Sequence, residues 1–382
     1  MRLFIAVATW TARGVYAVMK AALPVRRKVV FLSRQSDTPS RDFTLLADEL
    51  ASRDPGLEIV MRCRMVGRSA GSRLASIVPI LGQMFHLATA RACVVDGYVI
   101  PVSVLSHRPS LFVVQVWHAL GAVKRFGYQT LDRPGGHSRR IATAMRMHRN
   151  YDLVVCSGSA TIPVFAEAFG VDPSIVLPLG MPRIDYLRTH AGDATADPVP
   201  PGVAALRSRF PVLADPARTV VLYAPTCRRA GGGRYPEVVE RFSGPGYALI
   251  VKPHPLETAS VDGPHVVQAG GVDILDLLPL CDVVITDYSA VAFEACVLGL
   301  PVFFWVYDID QYEAAHGLNI DPLVEWPQVS SRDLGVLADR IESGVRDPSV
   351  MRALAERYVS APPGCTGRIT QSILDRVNGV GA

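Results

Sequence analysis

At four places in the 382-residue chain, polar and chemically capable side chains come directly after an apolar run. Trp117-His118 follows LFVVQV, and Tyr223-Ala224-Pro225-Thr226-Cys227-Arg228 follows TVVL. Lys252-Pro253-His254-Pro255 follows ALIV, and Thr286-Asp287-Tyr288-Ser289 follows DVVI. Each apolar run reads as a buried strand, so each polar group falls at a strand's carboxyl end, where open parallel α/β sheets bind ligands. One histidine at a strand end is usually structural. Two histidines, an arginine, a lysine and a strand-to-helix turn recurring at one topological place favour a shared cationic site. Such a site suits a diphosphate, whose charge must be balanced as a phosphoryl group moves or a nucleotide leaves.

The elements that position these groups follow from the same pattern. Residues 283–286 read as a buried strand, 287–289 as a tight loop, 291–298 as a helix and 301–306 as another strand. A helix starting there offers unpaired backbone N–H groups and a positive dipole end to an anion. Upstream, strands are expected in KVVFLSR, LEIVMRCRM, ACVV, LFVVQV and YDLVV, with helices at DFTLLADELASR, 74–88 and IPVFAEAF, the last closed by Gly170. SIVLPLGMPRIDYL reads as strand then loop. Residues 188–219 are rich in Ala, Asp, Pro and Gly and form the candidate linker. A second α/β series starts at RTVVLYAPT, and helical patterns fill the chain from Ser331. The expectation is an α/β protein of two Rossmann-like domains facing across a cleft, the glycosyltransferase-B arrangement, with an N-terminal amphipathic helix. Its parts are 1–27, a membrane-associating segment; 28–200, an acceptor domain; and 201–382, a donor domain carrying C-terminal helices.

Composition narrows the class. Hydrophobic residues make up 49% and charged residues 19% of the chain, which argues against disorder, and a net charge of +4 is too mild to imply nucleic acid. Arg133, Arg139, Arg140, Arg146 and Arg149, with His137 and His148, share one segment whose only acid is Asp132. That segment is either a solvated basic face or a surface for anionic lipid or a phosphate-rich substrate. Seven scattered cysteines without metal-ligand spacing read as reduced thiols, with Cys156, Cys281 and Cys296 in the core. LFIAVATWTA is interrupted by Arg13 and closed by Lys20 and Arg26-Arg27-Lys28, too short to span a bilayer and broken for a signal peptide. It reads as a helix lying in a membrane interface, or as one packed on the protein body.

At the chemical residues the chain resembles the CDP-glycerol glycerophosphotransferase family, the teichoic-acid primases and polymerases. The matching pieces are VWHALGAVKRFGY, YDLVVCSGSA, LGMPRID, LYAPTCRR, VKPHP and the stretch from DILDLL to DIDQY, in the family's order. The resemblance implies transfer of a glycerol or ribitol phosphate from a CDP-activated donor to a hydroxyl of a lipid-linked or polymeric acceptor. CMP is released, at the cytoplasmic face of the plasma membrane, by a peripheral enzyme bound to anionic lipid and not to nucleic acid. A nucleotide-sugar glycosyltransferase and a non-catalytic nucleotide-binding scaffold of wall-polymer assembly are the alternatives.

Carried over by position, His118 is the base that deprotonates the acceptor hydroxyl, a task suited to a near-neutral pKa. Arg228 and His254 hold the donor diphosphate, with His254 counted beside His118 as catalytic. Lys252 of VKPHP joins the donor side. Thr286, Asp287 and Ser289 form the donor loop, with Ser289 on phosphate; Asp287 orients His254 or meets polyol or cytidine hydroxyls. Glu294 is either a ribose ligand or a solvated helix residue. Lys124 and Arg183 are acceptor-side or secondary groups, and for Lys124 the alternative is a plain surface lysine. No metal cluster is expected, and Asp308 with Asp310 reads as a solvated strand end; any Mg²⁺ arrives with the diphosphate. The family's WHG is WHA here, so Ala119 restricts the backbone. The family's Arg-Gly is His316-Gly317, and the aromatic pair after it is Leu318-Asn319, which opens the choice of transferred group.

Overall fold

The computed structural model describes residues 2–65, 77–190, 201–228, 233–254, 257, 260–344 and 348–380. Two compact units are resolved by their internal contacts: Met1–Ala119 with Arg125–Asp185 and Ser360–Ala382, and Leu120–Lys124 with Tyr186–Val359. The helices used below are α1 (Arg2–Ala22), α2 (Arg41–Arg53), α3 (Val291–Val297) and α4 (Cys365–Val377).

The first unit is built on β1 (Lys28–Ser33), β2 (Glu58–Cys63), β3 (Ala92–Val95), β4 (Phe112–Gln115), β5 (Leu153–Val155) and β6 (Val176–Leu177). They form one parallel sheet in the order β2-β1-β3-β4-β5-β6. All six residues of β1 and all four of β3 are buried, as strands covered on both faces require. Phe43, Leu46, Ala47 and Leu50 recur at helical spacing on α2 and pack into the core over this sheet; Ser40 caps the helix through Phe43 N–H at 3.3 Å. Gly170 closes the helix Ile162–Phe169 at φ +62°, a conformation glycine adopts without strain. PRIDYL is not a loop but the start of the helix Pro182–His190.

The second sheet contains β7 (Thr219–Tyr223), β8 (Tyr247–Val251), β9 (Val266–Gln268), β10 (Val283–Thr286), β11 (Val302–Trp305) and β12 (Ser330–Ser331). Its order is β12-β11-β10-β7-β8-β9, all parallel. The order reverses between β7 and β10, the topological switch point at which doubly wound sheets hold their ligands. The corresponding reversal in the first sheet lies between β1 and β3.

The division differs from a simple break at residue 201 in two places. α4 returns to the first unit, where Ile369, Ile373, Leu374 and Val377 join the core beside α2. Leu120–Lys124, in contrast, belongs to the second unit. Of the expected linker, residues 191–200 lie outside the described residues, and Pro201–Arg209 is a helix.

α1 is packed against the first unit, touching the helices Ile77–Thr89 and Arg139–Ala144. Tyr16 is 1% exposed and its hydroxyl lies 2.8 Å from His107 Nδ1. Arg13 Nε donates to Val104 O at 2.8 Å and Lys20 Nζ to Ser106 O at 2.6 Å, while Arg108 donates to the carbonyls of Lys20 and Leu23. These cations of α1 therefore turn inward, and its outer face carries exposed Val7, Trp10, Val15 and Val18. No helix among the described residues is long and apolar enough to cross a membrane.

His148, counted from sequence with the basic run, is buried under Tyr128, Tyr151 and Phe169. Burial drives its pKa down to about 3, and burial likewise takes His86 down to about 4. Unfolded histidine titrates near 6.5, so the stability carried by these neutral rings is complete above that pH. It is lost as pH falls from about 6.5 toward their folded values. Chemical unfolding between pH 7 and 5 is expected to show a midpoint that falls with acid, and His148→Gln to flatten that slope by up to about 1.4 kcal/mol per pH unit.

Candidate active site

The switch point of the second sheet is occupied by one guanidinium. Arg228, on the loop after β7, places Nη1 2.7 Å from Asp287 Oδ2, on the loop after β10. Its Nε and Nη2 donate to the two oxygens of Asp308, after β11, at 2.8 and 3.0 Å, and Nη1 also donates to Thr226 O at 2.6 Å. The rings of Tyr288, Tyr307 and Tyr312 lie 5.3–5.5 Å from the guanidinium carbon. Burial opposes the charge of Arg228, but Asp287 and Asp308 more than reverse this and raise its pKa. Asp287 accepts further hydrogen bonds from the N–H groups of Thr226 at 2.9 Å and Tyr288 at 2.5 Å. Thr286 Oγ1 donates to Ala224 O at 2.7 Å, tying β10 to the same loop. Glu257 accepts from Arg228 N and from the Tyr235 hydroxyl.

These contacts revise several sequence expectations. Arg228 is neutralised by two carboxylates, so its fork organises the site instead of lying open for a diphosphate. Asp287 is held by Arg228 and Thr226. Asp308 is an ion-pair partner at 17% side-chain exposure, not a solvated strand end; Asp310 pairs with Arg332 on the surface. Glu294 is 3% exposed, so it is no solvated helix residue. Ser289 Oγ lies 3.4 Å from Val291 N at the start of α3. Lys252 donates to Gly270 O at 3.0 Å, toward β9. His254 is half-buried, and burial, followed by the nearby Lys124 charge, lowers its pKa, so it is a neutral imidazole at neutral pH. Among the described residues no group of three or more His, Cys, Asp or Glu side chains is arranged to hold a metal ion.

In the first unit, His118 follows β4. Its Nδ1 lies 2.9 Å from the carbonyl oxygen of Asp96, which can only accept, so Nδ1 carries the proton and Nε2 is the basic nitrogen of the neutral ring. The ring is exposed and packs at a tilt against Trp117 with centroids 4.0 Å apart. Asp96 itself was not singled out by the sequence reading. It sits at the carboxyl end of β3, 2% exposed, with Oδ1 unpartnered among the described residues, and burial takes its pKa up to about 6. Only the apolar run before it signalled the place. Arg183 is committed to Asp42 through its backbone N–H at 2.8 Å and its guanidinium, a buried pair that anchors the helix Pro182–His190 to α2.

The model of the family described as CDP-glycerol:poly(glycerophosphate) glycerophosphotransferase matches residues 15–377. The chain belongs to this family. Among its relatives is the teichoic acid ribitol-phosphate primase of Bacillus spizizenii, 30% identical over 91% of each chain. The teichoic acid glycerol-phosphate primase of the same organism is 27% identical over 72% of this chain and 70% of its own. The fold matches that of the wall teichoic acid polymerase TagF with a TM-score of 0.75, at 19% identity, over 99% of this chain and 97% of that one.

Two departures from the glycerophosphotransferase pattern acquire physical meaning. Ala119 does not adopt a positive φ; the left-handed residue is Trp117 at +56°, held by stacking on Phe126 at 4.8 Å and by Gln115 Oε1 on its N–H at 2.9 Å. Alanine after the histidine therefore introduces no backbone conflict of the kind expected. The pair Leu318-Asn319 fastens the segment Leu120–Lys124. Lys124 and Leu318 form an antiparallel bridge, Asn319 N donates to Val123 O at 2.8 Å, and Asn319 Nδ2 donates to Lys124 O at 3.0 Å. Gly317, at φ +83°, supplies the turn before them. Gly121 permits the close approach of this segment to α3, since a Cβ there would lie 2.2 Å from the buried ring of Phe293.

Removing a partner from a buried pair leaves an uncompensated charge. Arg228→Met is therefore expected to cost about 3–5 kcal/mol, read as a lower midpoint in urea unfolding followed by tyrosine and tryptophan fluorescence. Gly121→Ala is expected to cost about 1–3 kcal/mol by overpacking against Phe293, and to lower turnover as the 120–124 segment is displaced.

Proposed function

We propose that this protein transfers a polyol phosphate from a CDP-activated donor to a hydroxyl of a lipid-linked or polymeric acceptor, releasing CMP, in teichoic-acid or capsule-like polymer synthesis. The observation that carries this reading is the ordered cluster at the second sheet's switch point, where Arg228, Asp287 and Asp308 meet in a member of the glycerophosphotransferase family, with His254 on the loop after the neighbouring β8. The acceptor oxygen attacks the phosphorus that bears the polyol, and the bond from that phosphorus to the oxygen bridging to the nucleoside phosphate breaks. The hydroxyl proton passes to His118 Nε2, and the electron pair of the broken bond leaves with CMP. His254, Ser289 and Thr286 line the donor side, and the buried Glu294 meets the ribose. Similarity to a ribitol-phosphate primase over nine-tenths of both chains supports ribitol as well as glycerol as the transferred polyol.

The acceptor's lipid also accounts for the outer face of α1. Val7 at 55%, Trp10 at 78% and Val18 at 68% exposure form an apolar strip on a helix that touches Arg139–Ala144, whose Arg139 and Arg140 are exposed. An apolar strip with cations beside it fits the cytoplasmic surface of an anionic bilayer. Because Tyr16, Arg13 and Lys20 bind α1 to the first unit, deleting the helix would open that unit; surface substitution is the cleaner probe.

A screen of CDP-glycerol, CDP-ribitol and UDP-sugars against a lipid-like acceptor is expected to yield CMP and not UDP. His118→Ala should reduce the rate by about 10²–10⁴-fold, and an unchanged rate would remove His118 from the mechanism. Trp10→Asp with Val18→Asp is expected to abolish co-sedimentation with phosphatidylglycerol vesicles while leaving turnover of a soluble acceptor analogue intact.

A further inference from the structure

The proposed reaction needs a positive charge on the donor's diphosphate, and the arginine expected to supply it is neutralised. Arg228 is held by Asp287 and Asp308, and that triad alone carries a net negative charge. His254 is neutral at neutral pH, and Lys252 is turned to the Gly270 carbonyl. A different cation reaches the cluster. Lys124 lies six residues beyond His118 in sequence but belongs to the second unit, carried by the segment that Leu318, Asn319 and Gly121 fasten beside α3. Among the described residues its ammonium makes no hydrogen bond and no ion pair, although its chain is mostly covered.

We propose that Lys124 is the cation that binds the diphosphate of a nucleoside-diphosphate donor in this site, with Arg228 serving to fix the loops around it. The inference rests on the donor reading above and assigns its principal charge. The groups facing Lys124 agree. Burial lowers its pKa, Asp287 opposes that lowering, and Arg228 and then Cys227 act on it in turn; His254 registers the Lys124 charge as well. A partly buried ammonium without a contact partner among the described residues gains from an entering anion. As the bond between the two phosphorus atoms' bridging oxygen and the polyol phosphate breaks, negative charge grows on the departing nucleoside monophosphate, and a nearby ammonium stabilises it. The lysine also gives the Leu318-Asn319 pair a definite task, since those residues hold the backbone that presents it.

Isothermal titration of the full chain with CDP and with cytidine, for wild type, Lys124→Gln and Lys124→Arg, tests the assignment. Loss of a charge-assisted contact predicts that Lys124→Gln weakens CDP by about 10–100-fold, leaves cytidine and the thermal midpoint unchanged, and is largely rescued by Lys124→Arg. Wild-type affinity for CDP in Lys124→Gln, or an equal loss for CDP and cytidine, would overturn it while leaving the donor reading in place. Failure of the wild-type chain to bind CDP would overturn the donor reading and this assignment together.

Discussion

The second unit depends on one buried guanidinium shared between two carboxylates. Taking three charges out of water is costly, and the arrangement is tolerated only because nearly every donor and acceptor is used. Arg228 therefore does more than balance charge. Asp287 and Asp308 hang from the ends of β10 and β11, and Arg228 from the end of β7, so one interaction locks three strand termini into a single geometry. Tyr288, Tyr307 and Tyr312 surround it and exclude water, which strengthens each pairing. A rim fixed in this way does not have to reorganise when charge moves across it, which is the condition for electrostatic catalysis.

Each unit is completed by residues brought in from elsewhere in the chain. The passage from Ala119 to Leu120 takes the chain out of one unit and into the other, so a histidine and a lysine near in sequence serve different bodies. α4 makes the opposite move, returning its apolar stripe to the core beside Phe43 and Leu46. Each crossing makes one unit incomplete without a distant stretch of sequence. The orientation of His118, set by the Asp96 carbonyl in the first unit, and the geometry of the Arg228 cluster in the second rest on separate contacts.

α1 follows a logic that an amphipathic pattern alone does not reveal. Its Arg13 and Lys20 are held by the carbonyls of Val104 and Ser106. Among its described residues Val7, Trp10, Val15 and Val18 stay outward, and the helix Arg139–Ala144 lies alongside. The same basic run is not one face, because His148 is folded into an aromatic core and Arg139 is paired with Asp132 at 3.1 Å.

The order of strands and helices, the two α/β series and the four strand-end positions were legible from the chain itself, because apolar runs bounded by Gly, Pro and polar turns report burial directly. Residues 283–286 and the helix following Ser289 appear where the periodicity put them, and the family is carried by short motifs in fixed order. What each polar side chain does was decided only by the tertiary structure. Arg228 and Arg183 looked like free cations, yet each meets a carboxylate far away in sequence, Asp308 and Asp42. Lys124 reads from sequence as an acceptor-side or secondary group or a surface lysine, yet Asn319 holds its backbone and the charges of Asp287 and Arg228 act on it. Local sequence fixes burial and direction along the chain, whereas the neutralisation of a charge depends on which distant group shares its low-dielectric surroundings.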